Sequence, residues 1–455
     1  MLQSHTSDLT HGPVTRQLIR FALPLLVGSL VQLMYSTVDM MFVGQYLGGG
    51  AAAAVGASSM IVNCIVGFFS GLSVGVGVTA GRAMGAGDTD RLRGIIHTAA
   101  ALTLLLSAMY TAGGITLAPA FLSAMDVPPE IMPDAVLYIR IYLLSLLAIV
   151  SYNIGAGIIK ALGNSSSPML YQLLGGAANI GGNWLFICVL HLGVQGAAMT
   201  TLLSQTLAAT LTAGHLFRLP EEYCLHIRRI RLESHLAGEI LRIGFPAAVQ
   251  AIILSASNAV VQTNINRLGV ESIAAFTAYY KAENLIYFPI MAVGQACSAF
   301  VSQNIGAGDL LRTRQGTRSS LLIGIPVTAA VSVLSLLFAP QLFGAFYKEA
   351  EVIALSCRIA RVSFSLYFLY VFLEVYAASI RAAGKALVTM GITILNMCVI
   401  RLGVLKLLML HTEDAAGIAA VYPITWACSA LCMFAYYRSG RWMPETLRED
   451  RRHRL

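Results

Sequence analysis

The sequence predicts an all-α integral membrane protein whose twelve transmembrane helices form two six-helix lobes around a central cleft. Three observations predict it: an apolar composition, a series of helix-length apolar stretches, and landmarks that recur in the two halves of the chain. Of the 455 residues, 57% are hydrophobic and 11% are charged, and the mean hydropathy is +0.72. A soluble domain carries about 25% charged residues to cover its surface, so most of this chain is expected to lie in lipid.

Twelve stretches are long and apolar enough to cross a bilayer, which takes roughly 20 residues of helix. They are residues 18–42, 51–79, 95–117, 135–158, 168–190, 194–216, 240–266, 273–301, 318–345, 356–380, 387–409 and 415–437. Because lipid offers the backbone no hydrogen-bond partners, each stretch is expected to be a helix. The strands of a membrane barrel would be about half as long.

Basic residues fall on every second connection between these stretches. They are Arg16 and Arg20; Arg82, Arg91 and Arg93; Lys160; Arg218, Arg228, Arg229 and Arg231; Arg312, Arg314 and Arg318; Arg381 and Lys385; and the tail from Arg438 to Arg454. Loops enriched in Lys and Arg are cytoplasmic. We therefore expect a multi-pass protein of the plasma (inner) membrane with both termini in the cytoplasm, which requires an even number of spans.

The two halves of the chain repeat each other. The motif Gly-Ala-Gly-Asp followed by two arginines occurs at 85–93 and, 221 residues later, at 306–314. The same offset relates Gly48 to Gly269, Lys160-Ala161-x-Gly163 to Arg381-Ala382-x-Gly384, and Gly196 to Gly417. Six spans per copy make the repeat parallel. We expect an N-lobe at 1–216, a cytoplasmic linker at 217–239, and a C-lobe at 240–455 that ends in a basic cytoplasmic tail.

The order of short motifs resembles that of the multidrug and toxic compound extrusion (MATE) transporters over nearly the whole chain. The motifs are Pro24…Asp39-x-x-x-Val43-Gly44 with Leu47-Gly48, the two Gly-Ala-Gly-Asp loops, Lys160-Ala161-Leu162-Gly163…Pro168-Met169, Asn179-x-x-x-Asn183, Gly196 to Thr201, and Lys281-x-Glu283…Pro289…Gln303-Asn304-Ile305-Gly306. The resemblance implies alternating access, with export of amphiphilic, mainly cationic compounds in exchange for inward H⁺ or Na⁺. The expected partners are the lipid bilayer and these small substrates, with no cofactor beyond the coupling ion. We expect a monomer that binds no nucleic acid.

Other functions remain alternatives. A lipid-linked glycan precursor flippase of the same superfamily would favour a strongly cationic cleft, whereas the internal groups here are acidic and aromatic. A sugar or drug porter of the major facilitator type also has a basic, glycine-rich loop after its second helix, but the order of the motifs argues against it. An enzyme would need a dense cluster of His, Asp, Glu or Ser at one leaflet. The sequence has neither such a cluster nor a nucleotide-binding P-loop, so we expect no enzymatic activity.

Asp39 is the clearest candidate for ion coupling. A charged residue in the hydrocarbon region costs at least roughly 2.5–3.5 kcal/mol on insertion scales, which favours a functional role. Asp39 shares one stripe of its helix with Gln32 and Ser36. Burial favours a protonated carboxyl, whereas a bound monovalent cation keeps it ionised. Hydration at the outer leaflet is the alternative, because Asp39 lies near the end of its span.

Asn179, Asn183 and Thr201 are the expected companions of Asp39, because their hard oxygen atoms suit a hard cation. Many family members carry Asn-x-x-x-Asp where this chain has Asn179 and Asn183. Asp39 is then the one titratable group of this set, which weakens a Na⁺ site and leaves the coupling ion open. The two amides can instead join neighbouring helices.

Glu283 is the first candidate for binding a cationic substrate. Tyr280, Glu283 and Tyr287 share one face of a predicted helix. A carboxylate beside aromatic rings attracts a lipophilic cation through its charge and through the ring quadrupoles together. The alternative is an ion pair with Lys281 at the outer interface, where tyrosines are common.

Glu374 is the second acid of the C-lobe, and it shares a stripe with Tyr370. It is a substrate-binding candidate, although Arg401 in the next predicted helix could neutralise it and make the pair structural. Gln250 joins the substrate-binding candidates because some family members carry Glu at its position. The sequence thus predicts an ion site in the first lobe and acids for the substrate in the second.

Overall fold

The computed structural model describes residues 8–412 and 414–443. Over these residues the chain is helical and contains no β strand. Each of the twelve predicted stretches falls on one helix or on consecutive helical segments. The predicted basic tail beyond Met443, which includes Arg454, lies outside the described residues.

The first half of the chain forms six helical segments. They are α1 (Val14–Phe42), which passes through a π segment (Val43–Leu47) into α2 (Gly48–Gly85); α3 (Thr89–Ala124); α4, in two parts (Met132–Leu144 and Leu146–Ala161); α5 (Ser166–Asn183), which continues as a π segment (Trp184–Val189); and α6 (Gly193–Phe217). The two parts of α4 meet at 45°.

The second half repeats this pattern. Its segments are α7 (Ser234–Asn266); α8 (Val270–Gly306); α9 (Leu310–Leu337), followed by a short helix (Ala339–Gly344); α10, in two parts (Ala350–Phe364 and Phe368–Ala382); α11, with parts Ala386–Ile394 and Arg401–His411 joined by a π segment (Leu395–Ile400); and α12, in two parts (Ala415–Ile418 and Val421–Arg438). The two parts of α10 meet at 48°, so the fourth helix of each half is bent.

Helix length and composition also indicate membrane spans. Within the described residues, 7 helices are long and apolar enough to cross a bilayer, or up to 9 if each of the two bent pairs is one span. One of these runs, Val14–Gly85, has 72 residues, several times the roughly 20 that a span needs. Gly48 interrupts it with φ +84°, a left-handed conformation that glycine adopts without strain. The run therefore contains two of the predicted spans.

The repeated Gly-Ala-Gly-Asp motif ends one helix and begins the next in both halves. Gly87 and Gly308 have φ of +69° and +77°, which suits a helix C-terminus. Asp88 and Asp309 then cap α3 and α9 by accepting hydrogen bonds from the backbone N–H of Arg91 (2.9 Å) and of Arg312 (2.8 Å). Each side-chain cap of this kind stabilises a helix by about 1 kcal/mol.

The chain forms two compact units, one of Val27–Ala248 and one of Leu9–Leu26 with the residues from Val249 onward. In the second unit, Leu9 donates its N–H to Gln303 Oε1 (3.0 Å), and Arg312 donates to Leu9 O and Gly12 O (3.2 and 2.8 Å). These bonds fix the segment before α1 against α8 and α9.

Glycines bring α7 close to α2 in the first unit. A Cβ added to Gly75 would lie 2.4 Å from Ile240 O, and one added to Gly71 would lie 2.3 Å from Ala248 Cα. No larger side chain fits at these two positions, because backbone atoms stand in the way. The beginning of α7 therefore packs within the first unit as closely as helix backbones allow.

Candidate ion and substrate sites

Hydrogen bonds join three of the four predicted ion-coupling residues in the first unit. Asn183 Nδ2 donates to Asp39 Oδ1 at 2.7 Å and to Asn179 Oδ1 at 3.3 Å. Asn179 and Asn183 are buried, and Asp39 is half-buried. The Asn183 amide thus connects α5 with Asp39 of α1 and also bonds to Asn179 one turn earlier in α5. The predicted stripe on α1 is only partly described: Gln32 is exposed, and the Ser36 side chain lies outside the described residues.

Two buried oxygen atoms in this region have no hydrogen-bond partner among the described residues. They are Oδ1 of Asn183 itself and Oγ1 of Thr200. Both residues are fully buried. Thr200 faces α5, because a Cβ added to Gly182 would lie 3.2 Å from Thr200 Oγ1. A buried polar atom without a partner costs about 1–3 kcal/mol. A bound cation would remove that cost, since amide and hydroxyl oxygens are ligands of hard cations.

Thr201 has a different environment from that of its neighbour Thr200. Its hydroxyl donates to Ala197 O within α6 at 3.3 Å, whereas Thr200 is the residue directed at α5. Successive side chains on a helix point about 100° apart, so counting along the sequence does not tell which of two adjacent threonines faces α5. The small residue Gly182 was the available indication, and sequence reasoning missed it.

Tyr35 makes a second connection between α1 and α5 that the sequence did not predict. Gln172 Nε2 donates to Tyr35 Oη at 2.8 Å. The tyrosine ring lies on Gly176, where an added Cβ would be 2.9 Å from Tyr35 Cδ1. The α1 segment that carries Asp39 is therefore held at two levels of α5.

Glu283 in the second unit accepts a hydrogen bond from Tyr367 Oη at 2.8 Å, and it is half-buried. Lys281 is exposed, and its Nζ lies 5.6 Å from the centroid of the Phe346 ring. The Lys281–Glu283 ion pair considered above is not formed among the described residues. The hydrogen bond to the Glu283 carboxylate comes from the neutral phenol of Tyr367.

Tyr367, which is hydrogen-bonded to Glu283, belongs to a connected group of aromatic rings. The ring centroids of Tyr367 and Trp426 are 4.5 Å apart, those of Tyr367 and Tyr370 are 6.0 Å apart, and those of Tyr287 and Tyr370 are 5.8 Å apart. Tyr280 joins through a short hydrogen bond to Tyr422, whose ring lies 6.0 Å from that of Trp426. We call these six residues, Tyr280, Tyr287, Tyr367, Tyr370, Tyr422 and Trp426, the aromatic cluster. The sequence predicted three of them as site residues and missed the contributions of α12.

Glu374 forms an ion pair with Arg381, with 2.6 Å between Oε1 and Nη2, and their side chains are only 8% and 12% exposed. The alternative considered above was an ion pair with Arg401, and the structure gives Arg381 as the partner instead. Arg381 follows Glu374 by two turns on the same face of α10, whereas Arg401 belongs to another helix. Gly294 of α8 makes room for the acid, because an added Cβ would lie 2.7 Å from Glu374 Cγ.

Arg401 is 1% exposed and donates to Asn258 Oδ1 at 2.8 Å and to Thr425 Oγ1 at 3.3 Å. Its guanidinium carbon lies 5.1 Å from the centroid of the Tyr422 ring, so neutral groups and an aromatic face hold it. Gln250, predicted above as a substrate-binding residue, donates to Thr393 Oγ1 at 2.9 Å. The Arg401–Asn258 and Gln250–Thr393 hydrogen bonds each connect α7 with α11, and neither involves a carboxylate.

A family model, MatE, matches residues 24–185 and 246–405. The chain belongs to the MatE family. Two matches in one chain confirm the predicted repeat, and the family confirms the resemblance drawn from the motifs. The chain is therefore a membrane transporter of the MATE multidrug efflux family.

Curated relatives agree with this assignment, and a solved structure agrees with the fold. The chain is 27% identical to "Probable multidrug resistance protein YpnP" of Bacillus subtilis over 438 residues, 96% of this chain and 97% of the relative. It is 26% identical to an "FAD transporter" of Shewanella oneidensis over 430 residues, 92% and 93% of the two chains. The outward-facing structure of a multidrug resistance MATE family transporter matches with a TM-score of 0.91 at 24% identity, covering 99% of this chain and 100% of the other. The predicted all-α fold is confirmed.

Proposed function

We propose that this chain is an antiporter that exports amphiphilic, mainly cationic compounds in exchange for inward H⁺ or Na⁺ by alternating access. It lies in the plasma (inner) membrane with both termini in the cytoplasm. The observation that carries the proposal is the Glu283 carboxylate, which is hydrogen-bonded to Tyr367 within the aromatic cluster. Such a group offers a lipophilic cation both charge and ring faces.

The two acids of the second unit differ in the charge they can offer. The Glu374 charge is neutralised by Arg381, whereas the described residues give Glu283 no ion pair. Arg401 is held by neutral acceptors. Glu283 is therefore the proposed cation-binding acid. Tyr280, Tyr287 and Tyr370 of the aromatic cluster are the proposed substrate-binding rings. Glu374 is proposed to support α10.

The proposed ion site is in the first unit. Asp39 supplies its carboxyl, and Asn183 is hydrogen-bonded to both Asp39 and Asn179. A proton needs only the carboxyl, whereas Na⁺ needs several oxygen ligands. The unpartnered oxygens of Asn183 and Thr200 support a site able to hold a cation, with Thr200 replacing Thr201 as the proposed hydroxyl ligand.

A second candidate function is export of an anionic aromatic compound, favoured by the relative named an FAD transporter. The aromatic cluster would accept a planar ring system, but Glu283 would repel phosphate groups. Export of a lipid-linked glycan precursor is the other alternative. It is disfavoured by the same carboxylate, because such precursors carry phosphates.

Efflux from everted membrane vesicles tests these functions. A fluorescent lipophilic cation, a neutral dye of similar size and FAD are compared under a proton gradient and under a Na⁺ gradient, each imposed alone. We expect Glu283→Gln to weaken cation export about tenfold, since one cation–ring–carboxylate contact is worth roughly 1–2 kcal/mol, and to leave the neutral dye nearly unchanged. Glu271→Gln is the matched control, because Glu271 is an exposed acid on the same helix.

Two results would contradict the proposal. One is an equal loss of cation and neutral-dye export in Glu283→Gln, which would make the glutamate structural. The other is gradient-driven transport of FAD without transport of cations.

A further inference from the structure

We propose that the first unit binds an anionic phospholipid, with the phosphate head group in a basic cavity and an acyl chain in an adjoining apolar crevice. The cavity has a volume of ≈ 750 Å³. It lies between the first turns of α3 and residues 228–236, which include the start of α7. Neither the proposed ion site nor the aromatic cluster contributes to it.

The cavity is lined by more positive than negative side chains. Its arginines are Arg91, Arg93, Arg228, Arg229 and Arg231, and its acids are Asp90 and Glu233. Arg93 pairs with Asp90, Arg231 with Glu233 (2.8 Å), and Arg91 with Glu239 (2.7 Å). Three arginines are thus already neutralised by acids of the same unit.

Arg228 and Arg229 remain without an acidic partner among the residues that the structure describes. Both are exposed and lie in a 3₁₀ turn, Ile227–Arg229. Two adjacent guanidinium groups in a cavity suit a phosphate group, because Arg donates two parallel hydrogen bonds to it. The ligand that would balance this charge is therefore an anion that carries phosphate.

Hydrogen bonds hold the arginine-bearing segment against α3. His226 donates its N–H to His97 Nε2 at 3.1 Å, and His97 Nδ1 is 2.8 Å from Arg93 O. Glu233 donates its N–H to Thr98 Oγ1 at 3.4 Å. Because the segment is fixed before a ligand binds, less ordering is needed on binding.

An apolar crevice of ≈ 160 Å³ adjoins the cavity, and Ile230 lines both. Its walls come from α3, α4 and α6, with aliphatic side chains such as Leu104, Ile154 and Leu216. A free phosphate would gain nothing from this crevice, whereas each methylene of an acyl chain buried there would strengthen binding about fourfold. Basic clusters beside membrane helices also attract anionic lipids on the cytoplasmic side, which is the side proposed for this linker. The adjoining crevice therefore favours a phospholipid over a soluble phosphate.

The test measures lipid binding to the purified full-length protein in mild detergent by native mass spectrometry. The probes are dioleoyl phosphatidylglycerol, dioleoyl phosphatidylcholine and inorganic phosphate. We expect the double variant R228Q/R229Q to bind phosphatidylglycerol about thirtyfold more weakly, from about fivefold per arginine. The control R16Q/R20Q removes the same charge from exposed positions of α1 and should change this affinity less than twofold.

A second variant distinguishes a lipid from free phosphate. Ala100 lines the crevice, and A100F fills it without changing any charge. We expect A100F to weaken phosphatidylglycerol binding more than about tenfold, since several methylenes lose their place. Equal losses in R228Q/R229Q and R16Q/R20Q would overturn the proposal in favour of general attraction to a basic surface. Unchanged lipid binding by A100F, or inorganic phosphate binding as tightly as phosphatidylglycerol, would also overturn it.

Discussion

Replacing Arg381 should destabilise the protein through the acid that it leaves behind. The Glu374 and Arg381 side chains are 8% and 12% exposed and 2.6 Å apart. Breaking a buried pair by removing one partner costs about 3–5 kcal/mol, because the other charge stays buried without compensation. Arg381→Gln should lower the free energy of unfolding by about this amount. Arg361→Gln, an exposed arginine of the same helix, should lower it by about 0.5 kcal/mol or less.

The assay is unfolding of the purified protein in mild detergent by titration with sodium dodecyl sulfate. The double variant E374Q/R381Q leaves no buried charge at this pair, so its loss should be at least about 1 kcal/mol smaller than the sum of the two single losses. Arg401→Gln combined with Glu374→Gln should be additive, because Arg401 bonds to Asn258 and Thr425. A stronger coupling of Glu374 to Arg401 than to Arg381 would refute the reasoning.

Three further predictions concern the ion site and the topology. Asp39→Asn should abolish gradient-driven efflux from everted vesicles at matched protein level, whereas Asn183→Ala should only weaken it, because the carboxyl of Asp39 remains. Normal efflux by Asp39→Asn would exclude Asp39 as the ion-coupling residue. Thr200→Val should raise the Na⁺ concentration needed for half-maximal efflux about fivefold, from about 1 kcal/mol for one lost oxygen contact, and Thr201→Val should change it little. Equal effects of the two variants would count against Thr200 as a Na⁺ ligand. A reporter active only in the cytoplasm should be active when inserted in 217–239, and activity of a periplasm-only reporter there would overturn the orientation.

Local sequence patterns predict the fold well wherever lipid or backbone geometry acts on one segment at a time. Apolar runs predict the helices, because lipid leaves the backbone no other partner. The two Gly-Ala-Gly-Asp motifs were predicted as loops between spans, and in the structure Asp88 and Asp309 begin the helix that follows. The contact of Asp39 with Asn183 was likewise expected, from the motifs of the family that the sequence resembles.

Partners across helices were harder to predict, because they depend on which small residue admits which side chain. Gly182 determines that Thr200 faces α5, and Gly294 makes room for Glu374. Arg381 was assigned to a basic loop from charge placement, although its side chain turns back along α10 to Glu374. Hydropathy reports whether a residue is compatible with lipid, but it does not report the direction of a long side chain at a helix end.

The repeat duplicates the helices of the protein without duplicating the acids of the candidate sites. At the 221-residue offset, Asp39 corresponds to Val260, and Glu283 corresponds to Val62. Glu374 corresponds to Asn153, whose side-chain amide donates to Ile149 O at 2.8 Å within its own helix. The helix caps of the two halves match, because every helix end needs hydrogen-bond partners for its backbone groups. A carboxyl in the hydrocarbon region is costly, so it occurs only where it has a function or a partner. The proposed antiporter binds two different species, and a different acid in each unit gives each species its own proposed site.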